Sequence, residues 1–187
     1  MNVSPGRRPE IDKVLADHEQ IALKKAAVWA LVAGIAHLIA PTFAPGFYPT
    51  WYFALSAVAF GLMLPAIASL HVRHALVRQS GAILGTITGV SVVTLGSVAS
   101  SATEVVPAAF FVSGMWWWTI GKMWAETRVL PRAFGWLTMA LAIVCFALLG
   151  AYAYTGGVVM AVPDLPLRMV LGVWLIVLAG LFWRDAR

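Results

Sequence analysis

The chain has 187 residues, of which 61% are hydrophobic and only 11% charged, and its mean hydropathy is +0.85. Soluble globular domains carry about a quarter charged residues, so these values exclude a water-soluble protein, a disordered chain and a large catalytic domain outside a membrane. The single Cys145 excludes an intrachain disulfide, and the net charge of +5 sorts by loop in the way that sets membrane topology rather than nucleic-acid binding.

The N-terminal segment 1–23 comes first. Ile11, Val14, Leu15, Ile21 and Ala22 recur at roughly helical spacing from Arg7 to Leu23, with Asp12, Asp17 and Glu19 between them. The pattern predicts an amphipathic helix lying in the membrane interface. No apolar run follows the start, so a cleaved signal peptide is not expected.

A transmembrane domain follows over 24–183, with a short tail at 184–187. Six apolar segments of spanning length fall near 24–41, 52–70, 81–100, 105–123, 132–154 and 167–183, and about 20 apolar residues suffice for each crossing. Pro41 stops the first; Thr50 and Ser80 cap the second and third. Pro107 and Pro131 open the fourth and fifth, Gly156-Gly157 ends the fifth, and Asp164 with Pro166 starts the sixth. The fold class is therefore all-α, a polytopic bundle of six spans. Of the 13 basic residues only Arg168 falls on one side; Arg7, Arg8, Lys13, Lys24, Lys25, Arg73, Arg78, Lys122, Arg128, Arg132, Arg184 and Arg187 fall on the other. The positive-inside rule then places both termini in the cytoplasm.

Along the spans, Ala26, Ala30, Ala33, His37 and Ala40 share a face of the first, which turns His37 into the bundle. Pro65 removes a backbone bond in the second and bends it. Gly81, Gly85 and Gly89, extended by Gly96 and Ser100, fall within an arc of about 100° on the third. This stripe of small residues is the predicted packing face, for another helix of the bundle or for another subunit. Trp116-Trp117-Trp118 lie roughly 17–20 Å into the fourth span, deeper than an interfacial belt. They either fill space opposite the glycine stripe or wall a cavity for a hydrophobic ligand.

The outer mouth gathers His37, Glu104, Asp164 and the tyrosines Tyr48, Tyr52, Tyr152 and Tyr154. With Trp117 and Trp118, the residues His37, Tyr48, Tyr52, Glu104 and Asp164 are the ligand-binding candidates. A pairing of His37 with Glu104 across two neighbouring helices is the sharpest of these expectations. His71 and His74 share a face at the inner end of the second span, beside Arg73 and Arg78. The cationic setting opposes a metal and suits a wet, headgroup-contacting end. No metal site is expected and no cofactor is predicted: a bis-histidine haem within one chain fails because its outer His37 has no partner histidine at matched depth, which leaves a single-histidine or intersubunit haem, or a pigment, as the minor alternative. No nucleophile, metalloprotease or phosphate-loop motif is present, so no catalytic residue is assigned.

The stretch Glu126 to Leu137 reads Glu-Thr-Arg-Val-Leu-Pro-Arg-Ala-Phe-Gly-Trp-Leu. A charged loop running into Leu-Pro-Arg-x-x-Gly-Trp-Leu resembles small uncharacterised bacterial six-helix integral membrane proteins. The resemblance implies a multi-pass protein of the bacterial inner membrane and carries over no site residue. The leading functional expectation is an accessory or structural protein, packing against itself or a larger membrane complex. The alternatives are a binder or carrier of a small lipophilic or cationic ligand, and an enzyme using His37 and Glu104. The expected partners are membrane lipids, a second copy or another membrane subunit, with no nucleic acid.

Overall fold

The computed structural model describes residues 8–39, 50–99, 102–155 and 164–187. All regular structure among them is helical: α1 Arg8–Ile39, α2 Thr50–Gly61, α3 Leu64–Ala75, α4 Gln79–Ala99, α5 Val106–Thr127, α6 Arg132–Thr155 and α7 Asp164–Asp185, with a single 3-10 turn at Thr103–Val105. Among the described residues five stretches are long and apolar enough to cross a membrane: Gln20–Ile39, Trp51–Ala75, Gln79–Ala99, Arg132–Thr155 and Leu167–Asp185. The sixth helix of comparable length, α5, has 22 residues, or roughly 33 Å. Its three adjacent tryptophans, Lys122 and Glu126 lower its hydropathy without shortening it.

Two boundaries differ from those read in the sequence. Among the described residues the segment read as an interfacial helix is continuous with the first span, because α1 runs unbroken for 32 residues. No proline or glycine falls between Glu10 and Ala33 to interrupt it. The second span is divided rather than merely bent. Pro65, in the first turn of α3, has no N–H to give, and the chain tightens ahead of it. The N–H of Leu62 donates to the Val58 carbonyl at 2.9 Å and that of Met63 to Phe60 at 3.0 Å. Helical bonding then resumes with Ile67 to Met63 at 3.0 Å.

The helices stand in the order α6, α5, α4, α2/α3, α1, α7, each packed on its neighbours. Glycines set two of these contacts. A Cβ on Gly34 would lie 2.8 Å from the Gly172 carbonyl oxygen, which brings α1 against α7 almost backbone to backbone. A Cβ on Gly135 would lie 2.7 Å from the amide nitrogen of Ala125 and 2.8 Å from the Gly121 carbonyl oxygen, closing α6 onto α5. The stripe on α4 is different, because it receives side chains. Gly81 faces Met123, Gly85 faces Ile120, Gly89 faces Trp116 and Ile67, and Gly96 faces the ring of Phe60. All four predicted packing glycines thus meet residues of this same chain.

Among the described residues the ion pairs gather at one end of the bundle. Arg73 at the end of α3 meets Asp185 at the end of α7 at 3.0 Å. Arg78, just before α4, meets Glu126 near the end of α5 at 2.8 Å. Arg128 closes α5 in the left-handed conformation, φ 58°, with its N–H on the Trp124 carbonyl at 3.1 Å.

Candidate ligand site at the seam between α6 and α7

Among the described residues a cleft opens between the two ends of this order. The ends of the order, α6 and α7, touch through Trp174, Phe134 and Thr138 and part beside them. The gap is an apolar cleft of about 280 Å³. It is lined by Phe134, Leu137 and Leu141 of α6 and by Met169, Val170, Val173, Trp174 and Val177 of α7.

Behind the cleft stands an aromatic wall that closes the centre of the molecule. Trp124 of α5 stacks on Phe134, with ring centroids 5.3 Å apart and planes 14° apart. It also stacks on Trp174, at 5.9 Å and 20°. Trp116 meets the edge of Trp174 at 5.4 Å, and Trp117 tilts against it at 6.3 Å. Polar handles fix two of these rings. The indole N–H of Trp174 donates to Thr138 Oγ1 at 3.0 Å, and that hydroxyl donates to the Phe134 carbonyl at 2.8 Å. The indole N–H of Trp124 donates to His74 Nε2 at 2.6 Å. Because Nε2 accepts, the ring proton of neutral His74 sits on Nδ1. Trp117 Nε1 is buried and has no acceptor among the described residues. The tryptophans therefore pack into one another and against α4 and α6, and the open space lies on their outer side.

Of the predicted ligand residues, His37 and Tyr52 meet around Phe60 and Arg168, while Trp117, Trp118 and Glu104 lie elsewhere. Trp117 is in the wall, 2% exposed. Trp118, one residue on and 39% exposed, faces outward. Glu104 lies exposed on the 3-10 turn, which packs on α4 and α5. His37 is fully buried on α1, with Nδ1 2.9 Å from the Ala33 carbonyl and its ring edge-on to Phe60 at 4.8 Å. The expected His37–Glu104 pair is not formed. Among the described residues α1 packs mainly on α2, α3 and α7, whereas the 3-10 turn that holds Glu104 packs on α4 and α5. Tyr52 is buried on α2, and Arg168 of α7 lies 5.6 Å from its ring centre. Asp164 opens α7, and Tyr48 lies outside the described residues.

Arg168 is the group that sequence reading passed over. It is 3% exposed and lies one turn before Gly172, as His37 lies one turn beyond Gly34. The close approach of those two glycines sets both cationic-capable side chains at the same level of the bundle. Phe60 stands between them, with the Arg168 guanidinium 5.4 Å from its ring centre. The signal was present as the single basic residue among the apolar positions of the last span.

At the basic end, His74 is buried by Trp124 rather than wet. His71 Nδ1 approaches Thr86 Oγ1 at 2.7 Å. Since that hydroxyl donates to the Ala82 carbonyl at 2.8 Å, the imidazole is the donor. No cluster of three metal-ligating side chains occurs among the described residues. Comparison with known proteins gives no match: no family model, no curated protein and no solved structure resembles the chain.

Proposed function

We propose that this multi-pass helical protein binds a lipophilic molecule in the cleft between α6 and α7. One observation carries the reading: among the described residues the helices part between α6 and α7, and every residue lining that cleft is apolar. A cleft of this size lies at the lower end of ligand-site volumes and suits an alkyl chain or a small ring system. The accessory reading drew on the glycine stripe of α4, and that stripe is filled by Met123, Ile120, Trp116 and Phe60 of the same chain. The seam offers instead an unfilled surface with a rigid floor. In this reading the protein crosses a bacterial inner membrane six times with both termini cytoplasmic, akin to the small six-helix proteins its Leu-Pro-Arg-x-x-Gly-Trp-Leu segment resembles. The ion pairs gathered at one end of the bundle support the common side of the basic loops.

The test is native mass spectrometry of the detergent-extracted protein beside a Val173→Trp variant. Val173 is 54% exposed at the seam, so the larger ring fills the cleft without entering the core. A stoichiometric apolar adduct on the parent, lost from the variant, is expected. An adduct retained equally by both proteins, or none on the parent, sinks the proposal.

A further inference from the structure

We infer that the occupant of the seam is an anionic phospholipid whose headgroup docks on Arg184 at the basic end of the bundle. The inference rests on the seam reading above and names the chemistry of its ligand. The seam does not stop at Val177. At 100° per residue, Val173, Val177, Gly180 and Arg184 fall within about 60° of one another on α7, so one stripe runs from the cleft to the helix end. Gly180 keeps that stripe open: it is exposed, and a Cβ built on it meets nothing within 4 Å. Arg184 lies about 10 Å beyond Val177 along the axis, a headgroup's distance past an acyl chain seated in the cleft.

Charge at this point favours an anion. Arg73 Nη2 donates to Asp185 Oδ2 at 3.0 Å, and Arg184 Nη2 donates to Asp185 Oδ1 at 3.1 Å. Two guanidinium groups share one carboxylate, which leaves a net charge of about +1 at the mouth of an apolar groove. The Arg184 side chain is 62% exposed, so it keeps donors free for a phosphate. Arg73 is 19% exposed and leans on Phe182, so it holds Asp185 in place rather than reaching outward. Neighbouring Trp183 is exposed, as suits a residue at the level of headgroups. A zwitterionic lipid fits the groove equally well but gains nothing from the net charge; a helix from another polypeptide would fit the groove but not the cationic end.

The experiment titrates the detergent-solubilised protein with phosphatidylglycerol or phosphatidylcholine of identical chains and counts bound lipid by native mass spectrometry. The parent is expected to hold phosphatidylglycerol about fivefold more tightly, the factor for one basic residue at an anionic surface. Arg184→Gln should bring the two lipids level while phosphatidylcholine binding persists, and Asp185 remains paired with Arg73. Gly180→Leu should weaken both, and because its Cβ enters open space and leucine favours a helix, the variant folds. Equal affinity for the two lipids in the parent, a preference that survives Arg184→Gln, or a second polypeptide retained in place of lipid overturns the inference and leaves the seam reading standing. Both lipids binding unchanged to Gly180→Leu and Val173→Trp removes the seam reading itself.

Discussion

The bond from Trp124 to His74 joins two residues fifty positions apart and ties α5 to α3 at the core of the bundle. Both partners are buried, so removing either leaves the other without a partner, and the desolvation cost of an unmet group exceeds the net gain of an average hydrogen bond. His74→Ala is expected to destabilise the protein by about 2–4 kcal/mol, from the lone indole N–H and the space left behind. Trp124→Phe keeps a ring between Phe134 and Trp174 and should cost about 1–3 kcal/mol. In the double variant the penalties should fall short of their sum by at least about 0.5 kcal/mol. Equilibrium unfolding in mixed micelles measures all three, and strict additivity would mean that the short contact carries no energy.

Among the helices, glycine plays two roles that spacing alone does not separate. The α4 stripe receives side-chain ends: a Cβ on Gly85 would lie 3.3 Å from Ile120 Cγ2, which a small shift of that side chain relieves. Gly135 faces the backbone of α5, which cannot move aside. Gly135→Ala should therefore destabilise by about 2–4 kcal/mol and Gly85→Ala by less than about 1 kcal/mol. Thermal midpoints of the two variants in one detergent test the ordering, and equal midpoints would refute it. The long apolar helices were legible in the sequence because hydropathy and proline placement act locally. Repetition made Gly81, Gly85, Gly89 and Gly96 conspicuous, whereas Gly34, Gly121, Gly135 and Gly172 occur singly and gain their meaning from the helix across from them. The same reason hid the seam. Val173 and Val177 are two of the valines in an apolar span, and only the cleft between α6 and α7 sets them apart. Arg168 was legible as a charge, but its burial against Phe60 and Tyr52 depends on the α1–α7 crossing.

At the scale of the whole molecule, the pairs Arg73–Asp185 and Arg78–Glu126 define a basic end, and the proposed topology puts it in the cytoplasm. Single cysteines placed at Arg78 and Glu104 in a Cys145→Ser background provide the check. The membrane-impermeant thiol reagent should reach position 104 from outside intact cells and position 78 only after permeabilisation. Labelling in the reverse order would invert the molecule.

The contact between α1 and α7 has a consequence in time. These helices are separated by nearly the whole chain, and Gly34 meets its partner Gly172 only after every other helix has been made. Trp174 likewise arrives late to a wall whose other members, Trp116, Trp117, Trp124 and Phe134, lie on helices completed before it. Until then the first helix has an uncovered crossing face, and the aromatic residues lack the ring around which they assemble. Closure of such long-range contacts is slow, so the nascent protein spends its synthesis as an unclosed row of helices. The final helix acts as the keystone: a chain that ends before it leaves the Gly34 face of α1 uncovered and the aromatic wall without Trp174.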